Sequence, residues 1–332
     1  MSVAVSIVIP VYNAEKYISE CLDQLLCQSE TDIEIICVND GSSDDTDNIL
    51  RHYADKDSRI LAITQENKGA GEARNHGLSL ATGEYVIFLD VDDRFDREMI
   101  RTMLDSARTH DADVTICRAD SFSDATGDID TSAWQMPPDA FRGKDCFSPQ
   151  EMCDVLFQMV QGWPWDKLFR TEFVKKHKLA YPDLPNSHDL VFVLQGLVLA
   201  ERISAVRDIL VHRRMNVNGS ISNSRADSWD SPYRAVQLFT EALKKKDMLD
   251  MYERSLYIWA WDLFLWNLCT LPAKARHSCY KAMQKEWIPT LGLQKYHVDY
   301  PTSHRLQITV IRRFPYWVFA FLKRVRSLFR SK

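Results

Sequence analysis

Neither G-x-G-x-x-G nor G-x-x-x-x-G-K-[ST] occurs in this chain of 332 residues, so dinucleotide-binding and P-loop readings lose their usual support. The eight cysteines include no C-x-x-C pair and sit mostly in apolar stretches. That composition points to reduced, buried thiols and away from a disulfide frame or zinc site. No run of about 18 apolar residues is present, so no membrane-spanning helix is expected. Met1-Ser2-Val3 lacks a basic n-region, so no secretory signal is expected and the protein reads as cytoplasmic. Internal repeats and low-complexity tracts are also missing.

Acids are absent from Arg305 onward, where Arg305, Arg312, Arg313, Lys323, Arg324, Arg326, Arg330 and Lys332 carry +8. The preceding body holds 33 basic and 46 acidic residues, about −13, and the whole chain is −5. So acidic a body is a poor nucleic-acid binder. With 45% hydrophobic residues, the length suits one large or two modest domains.

What the chain does have is a strand and helix alternation over its first 118 residues. Val5–Ile9 reads as a buried strand ending at Pro10, and Tyr17, Ile18, Cys21, Leu22, Leu25 and Leu26 recur at helical spacing. Ile33–Val38, Ile60–Ile63, Tyr85–Leu89 and Val114–Cys117 are further strands, with helices through Ile49, Leu50 and Tyr53 and from Gly71 to Leu80. This order predicts an α/β fold, a Rossmann-like mostly parallel central sheet with helices on both faces. Residues 118 to about 143 are polar and turn-rich, a loop or hairpin insertion. From about Ser231 to Leu291 the pattern is helical. Its aromatic stretch Leu256–Trp266 reads as a buried core helix, since Asp262 interrupts it and it is short.

Three motifs stand where ligands gather in such sheets, at the carboxyl ends of strands. Asp90-Val91-Asp92-Asp93 follows the fourth strand. Two acids one residue apart can share a hard divalent ion completed by phosphate oxygens; the alternative is an Asp-rich turn capping a helix near Asp96. Asn39-Asp40-Gly41-Ser42-Ser43-Asp44-Asp45-Thr46 leaves the second strand. There Asp40 can accept a hydrogen bond from a base or ribose, or the segment is only a Gly turn with Ser43 or Asp44 as helix cap. Gly71-Glu72-Ala73-Arg74-Asn75 opens a helix with small residues, whose free N–H groups and Arg74 suit an anion.

Together with Ser6-Ile7-Val8-Ile9-Pro10-Val11-Tyr12-Asn13, these motifs appear in an order and spacing that resembles the inverting glycosyltransferase family 2, over about residues 4–118. The resemblance implies the A-type nucleotide-sugar-binding fold. It places Pro10, Tyr12 and Asn13 beside the nucleoside, Asp40 on the base and Arg74 on the nucleotide. Asp90 and Asp92 form the D-x-D, Asp92 as direct ligand of Mn²⁺ or Mg²⁺ and Asp90 nearer the ribose, with Asp93 behind the ion or capping a helix.

Farther on, Trp165-Asp166-Lys167-Leu168-Phe169-Arg170 resembles a segment of polysaccharide-building members, or is a strand-to-helix junction in the core. Asn186-Ser187-His188-Asp189 stands where the family has Glu-Asp before an apolar helix. Asp189 then takes the place of the acceptor-activating base, His188 replaces the usual Glu, and the competing role for Asp189 is N-cap of a Leu190–Leu199 helix. Val211-His212-Arg213-Arg214 and Asn218–Ser222 resemble the end of the catalytic region. The resemblance brings His212 and Arg213 toward the diphosphate and folds Ser220 over the donor; a basic surface loop is the alternative.

The expected division is a nucleotide-sugar half (1–118), an acceptor half (119–225), a helical region (226–304) and a basic amphipathic tail (305–332). In the tail Val318, Leu322, Val325 and Phe329 share one helical face, and Lys323, Arg326 and Arg330 another. This suits an anionic membrane surface, where the inner membrane and a lipid-linked glycan acceptor would be partners; docking on the body or an oligomer interface is the alternative. The function expected is metal-dependent inverting transfer from a nucleotide diphosphate sugar, UDP-linked hexose or N-acetylhexosamine, to a glycan hydroxyl in surface polysaccharide assembly. Competing readings are a nucleotidyltransferase, disfavoured by Pro10-Val11-Tyr12-Asn13 where a Gly-rich loop is needed, and a non-catalytic sugar-nucleotide-binding or scaffold protein.

Overall fold

The computed structural model describes residues 3–124, 127, 129–130, 140–215, 225–296 and 302–322. They fall in two compact units, Met1–Ser220 and Ile221–Lys332.

The first unit begins with β1 (Val5–Val11), α1 (Ile18–Leu26), β2 (Ile33–Asn39), α2 (Thr46–Lys56), β3 (Ile60–Thr64), α3 (Ala70–Leu80), β4 (Tyr85–Phe88), β5 (Arg94–Phe95), α4 (Met99–Thr109) and β6 (Val114–Phe122). It continues with β7 (Ile129–Asp130), β8 (Cys146–Phe147), α5 (Leu156–Met159), β9 (Lys167–Arg170), α6 (Thr171–His177), α7 (His188–Leu199) and β10 (Ile203–Arg214). The sheet runs β3-β2-β1-β4-β9-β6-β10-β5. β1 to β4 are mutually parallel where they pair. β9 runs antiparallel between β4 and β6, and β10 lies parallel to β6.

Alternation along β1 explains its two covered faces. Val5, Ile7, Ile9 and Val11 join the core that holds Ile18, Cys21, Leu22 and Leu25 of α1. Val8 points the other way, toward α3, where a Cβ on Gly77 would come within 2.4 Å of its Cγ1. Glycine at 77 is what lets α3 lie so close to the sheet. Because β1, β2 and β4 are parallel and in register, Val11 beside Asn39 and Val8 beside Phe88, their carboxyl ends open onto one edge.

Several sequence expectations are corrected here. The strand at Val114–Cys117 continues to Phe122 and pairs with β7 as a hairpin. The helix expected near Asp96 begins at Met99, with Glu98 at its N-cap and β5 before it, so the aspartates 90–93 do not cap it. Residues 211–214 are the end of β10, not a surface loop. Of the cysteines, Cys21, Cys37, Cys117 and Cys279 are buried, Cys27 is exposed and the others lie between. All eight are free thiols.

In the second unit lie α8 (Ser231–Lys244), α9 (Leu249–Thr270), α10 (Ala273–Ala282), α11 (Ile288–Leu291) and α12 (Thr302–Arg313). Trp261, Trp287, Tyr252 and Tyr280 are fully buried. Tyr233 stacks on Trp287 at 4.8 Å. The aromatic stretch is thus a core helix, inside α9, and no helix among the described residues is long and apolar enough to cross a membrane. Tyr280 anchors the chain's last described turns: its hydroxyl donates to Phe314 O at 2.9 Å, and its ring meets Tyr316 and Phe319 at 5.4 and 5.5 Å.

Candidate active site

The first two strand-to-helix turns lock onto each other before any ligand arrives. Asn13, at φ +47°, donates its backbone N–H to Ser42 Oγ at 2.9 Å and accepts from Ser43 N at 2.8 Å through Oδ1. Pro10 is half-buried in β1, and Tyr12 just beyond the strand is exposed. Asp40 is buried, and its carboxylate accepts from Gln65 Nε2, Lys68 N and Gly69 N, each at 2.8 Å. It therefore organises the loop entering α3, a role its sequence motif did not suggest.

Arg74 is the centre of the site. Only 4% exposed, it donates from Nη2 to Asp90 Oδ1 at 2.6 Å and from Nη1 to Asp189 Oδ1 at 3.1 Å. Nη1 also lies 2.9 Å from His188 Nε2. Burial opposes its charge, but Asp189 and Asp90 raise its pKa further above the ordinary arginine value. Its Nε–H is buried with no acceptor among the described residues, a donor left for water or an anionic ligand. Arg74 stays on this spot because α3 is pinned by Gly77 on one side and by Asn75 on the other. Asn75 donates to Tyr181 O at 2.9 Å and accepts from Tyr181 N at 2.8 Å, tying α3 to the segment that leads into α7.

Asp189 lies in the first turn of α7, with Ser187 at the N-cap position in a left-handed conformation, φ +61°. It is therefore not the N-cap. Burial would raise its carboxyl, but His188 and Arg74 beside it outweigh that and hold it at about 2. The helix is seated by an aromatic cluster: Phe192 stacks on Tyr181 at 4.3 Å and meets Phe88 and Phe169 edge-on at 5.1 and 5.3 Å.

The remaining aspartates after β4 differ from Asp90. Burial, and then the charge of Asp90, push the Asp92 carboxyl up to about 6. Burial with Asp90 and Asp92 nearby raises Asp93 well above the ordinary range. Asp93 Oδ1 accepts from Arg214 N at 2.9 Å, while Oδ2 is buried without a partner. Arg214 also donates from Nε to Asp92 O at 2.7 Å, from Nη2 to Glu20 at 2.7 Å, and to Asp124. It ties the acidic turn to β10 and α1. His212 Nδ1 sits 2.7 Å from Asp120 Oδ1, and the Arg213 guanidinium lies 5.7 Å from the centre of the Trp163 ring. Ser220 and the rest of its loop lie outside the described residues.

Thus Arg74, Asp90 and Asp189 meet directly, although residues 74 and 189 are 115 positions apart in the chain. Asp40 organises the loop before Arg74. The pairings through Glu20, Asn75, Asp120 and Arg214 were missed from sequence; Asn75 and Arg214 stand inside the quoted motifs, next to Arg74 and Arg213, which was the available signal. Among the described residues no three His, Cys, Asp or Glu side chains form a ready metal cage.

The mostly parallel mixed sheet, with an acid-rich edge and a buried arginine beside it, has the A-type glycosyltransferase fold. The comparisons agree. The family model for glycosyl transferase family 2 matches residues 6–160. The putative glycosyltransferase EpsH of Bacillus subtilis is 32% identical over 259 residues, covering 76% of this chain and 73% of EpsH. The crystal structure of S. aureus TarS 1-349 in complex with UDP-GlcNAc superposes with a TM-score of 0.60 at 20% identity, covering 89% of this chain and 92% of that one. A mannosyltransferase from Pyrobaculum calidifontis, PcManGT, in complex with GDP-Man and Mn²⁺ gives a TM-score of 0.54 at 18% identity, covering 92% and 83%. This chain belongs to glycosyltransferase family 2, and it is a glycosyltransferase.

Proposed function

We propose that the protein performs a metal-dependent, inverting transfer of a hexose or N-acetylhexosamine from a UDP-sugar to a glycan hydroxyl during surface polysaccharide assembly. The observation that carries this reading is the Arg74 guanidinium joining Asp90 to Asp189. It puts a fixed positive charge between an acid suited to the nucleotide and an acid suited to the acceptor. TarS, the fold neighbour, binds UDP-GlcNAc, which supports the donor class.

In a single displacement the acceptor oxygen attacks the anomeric carbon while the bond to the diphosphate breaks and its electron pair leaves with UDP. The acceptor proton must go to a base on the face opposite the leaving group, and Asp189, already ionised, takes it. Arg74 keeps that carboxylate oriented and offers its unpartnered Nε–H to anionic oxygen. Asp40 keeps the loop before α3 in shape for the nucleoside, and Pro10, Tyr12 and Asn13 line the neighbouring turn. His212 and Arg213 lie on β10, whose last residue Arg214 donates to Asp92 O, which supports a role for them toward the diphosphate.

Asp90 and Asp92 fit a hard divalent ion, Mn²⁺ or Mg²⁺: they are carboxylates one residue apart, and burial together with the charge of Asp90 lifts Asp92 to about 6, a penalty that a cation would relieve. When bound, such an ion would neutralise charge gathering on the leaving diphosphate.

The tail's finer role is also a proposal, contact with an anionic membrane surface that brings the enzyme to a lipid-linked acceptor. Support comes from exposed Phe314, Trp317, Phe321 and Leu322 next to exposed Arg312 and Arg313. The apolar face differs from the expected one, since Val318 is half-buried and Phe319 is buried on Tyr280. Val325, Phe329 and the cations from Lys323 onward lie outside the described residues.

The test is UDP release from a panel of UDP-sugars with a membrane extract as acceptor source, with Mn²⁺ and with chelator. One donor should turn over only with metal. Asp189→Asn should lower transfer by about 10²–10⁴-fold while UDP binding persists, and Asp92→Ala should abolish the metal response. Turnover near the parent level in Asp189→Asn would remove it from the base role. UDP binding without turnover of any UDP-sugar would overturn the UDP-hexose and N-acetylhexosamine reading of the donor.

A further inference from the structure

By the resemblance of its motif, His188 stands where a Glu is usual, and its surroundings give that exchange a meaning. The ring is buried against the first turn of α3, where a Cβ on Gly71 would come within 3.3 Å of His188 Cγ. Nδ1 lies 3.3 Å from Leu184 O. Nε2 faces two groups, Arg74 Nη1 at 2.9 Å and Asp189 Oδ1 at 3.2 Å. A guanidinium can only donate, so the shorter contact requires a lone pair on Nε2. The ring proton then belongs on Nδ1, pointing to the Leu184 carbonyl. The assignment follows from the bonding network.

We propose that His188 is a positioning residue: its Nε2 lone pair holds one Arg74 nitrogen against Asp189 while the other nitrogen stays on Asp90, so both ends of the site share one cation. The inference rests on Asp189 being the base. A neutral acceptor at this place fixes the guanidinium without neutralising it. A carboxylate here would compete with Asp189 for Nη1 and add a like charge beside it. Besides His188, the ionisable groups around Asp189 are Arg74 from α3, Asp90 beyond Arg74, and Tyr181 from the segment before α7. None of them replaces the contact at Nε2.

The test reads the Arg74 guanidinium by ¹⁵N NMR at neutral pH in the full-length protein without nucleotide or metal, using Arg74→Lys to assign the signal. His188→Gln, whose Oε1 can accept from Arg74 and whose amide can donate to Leu184 O, should keep guanidinium rotation as slow as in the parent. His188→Leu, which offers no acceptor, should speed it about ten-fold. Unchanged rotation in His188→Leu, or the same speeding in both variants, would overturn the proposal. The ¹⁵N spectrum of His188 in the unmutated protein at neutral pH gives a check that needs no variant to fold. A proton on Nδ1 alone is expected, and a proton on Nε2 would overturn the assignment. No transfer is measured, so failure here is distinct from failure of Asp189 as base, which the Asp189→Asn transfer assay reads separately.

Discussion

The acids after β4 are neighbours in sequence but not in chemistry. Asp90 is satisfied by Arg74, whereas Asp92 has its carboxyl pushed up from 3.8 to about 6 by burial and by Asp90. The sign of the consequence follows from linkage. The folded, metal-free protein holds a proton on Asp92 that the unfolded chain has released, so the contribution of this group to stability falls as pH rises from 3.8 to about 6. Above that window the full cost of a buried charge beside Asp90 is present. Asp92→Asn should therefore raise the metal-free Tm at pH 7 by about 2 °C and do nothing at pH 3.5. Mn²⁺ should raise Tm more at pH 7 than at pH 5 in the parent and lose that difference in the variant. Differential scanning calorimetry in both buffers checks this; an equal Mn²⁺ response in Asp92→Asn would remove it from the metal ligands. Asp189 behaves in the opposite sense. Its carboxyl is depressed to about 2, so its contacts with His188 and Arg74 stabilise the fold above about pH 4 and are lost as pH falls toward 2.

At the scale of elements, α3 has to carry Arg74 close to the sheet, and Gly77 is the residue that permits it. Gly77→Ala would gain about 1 kcal/mol in helix propensity. Its new Cβ, however, would meet Val8 Cγ1 at 2.4 Å and Val38 Cγ2 at 3.3 Å, and overpacking of this kind costs about 1–3 kcal/mol. Both γ-methyls of Val8 face the new atom, at 2.4 and 3.4 Å, and a buried β-branched side chain has little freedom to turn away, so the clash should win. Urea unfolding should show a net loss of about 1 kcal/mol, with UDP affinity reduced because the guanidinium moves with the helix. Unchanged stability would mean that α3 slides freely over β1. The same element shows what the sequence could and could not disclose. Buried strands such as Val5–Ile9 and acid-bearing strand ends such as Asp90 to Asp93 are local patterns, and they were legible. The strand-to-helix junction read at Trp165–Arg170 is there, as β9 running straight into α6; its antiparallel place between β4 and β6 was not legible, since four residues carry no sign of their partners. Arg74 meeting Asp189, and Arg214 holding the acidic turn, depend on chain segments brought together only by folding. Residue type suggested a charge at each place, but not its partner.

At the scale of the molecule, the two units differ in what they are made of. The second ends with exposed aromatic residues beside basic ones, Trp317 being 68% and Phe321 61% exposed. The pair Trp317→Ala and Phe321→Ala leaves Tyr280 its contacts with Tyr316 and Phe319, so the double variant should stay folded. It should sediment with phosphatidylglycerol vesicles at least ten-fold less than the parent, on the order of 2 kcal/mol for the lost apolar contact, and neither form should bind neutral vesicles as well. Equal sedimentation of parent and variant would sink the membrane reading. The aromatic packing around Trp261 and Trp287 has a further, optical consequence. Six of the nine tryptophans, Trp229, Trp259, Trp261, Trp266, Trp287 and Trp317, belong to the second unit. Intrinsic emission is therefore weighted toward the helices of the second unit. Anyone screening sugar nucleotides by tryptophan fluorescence would be reading the response of Trp163, beside Arg213, and its stacked neighbour Trp165 through that background, and a label on the exposed thiol of Cys27 would report from the first unit without it.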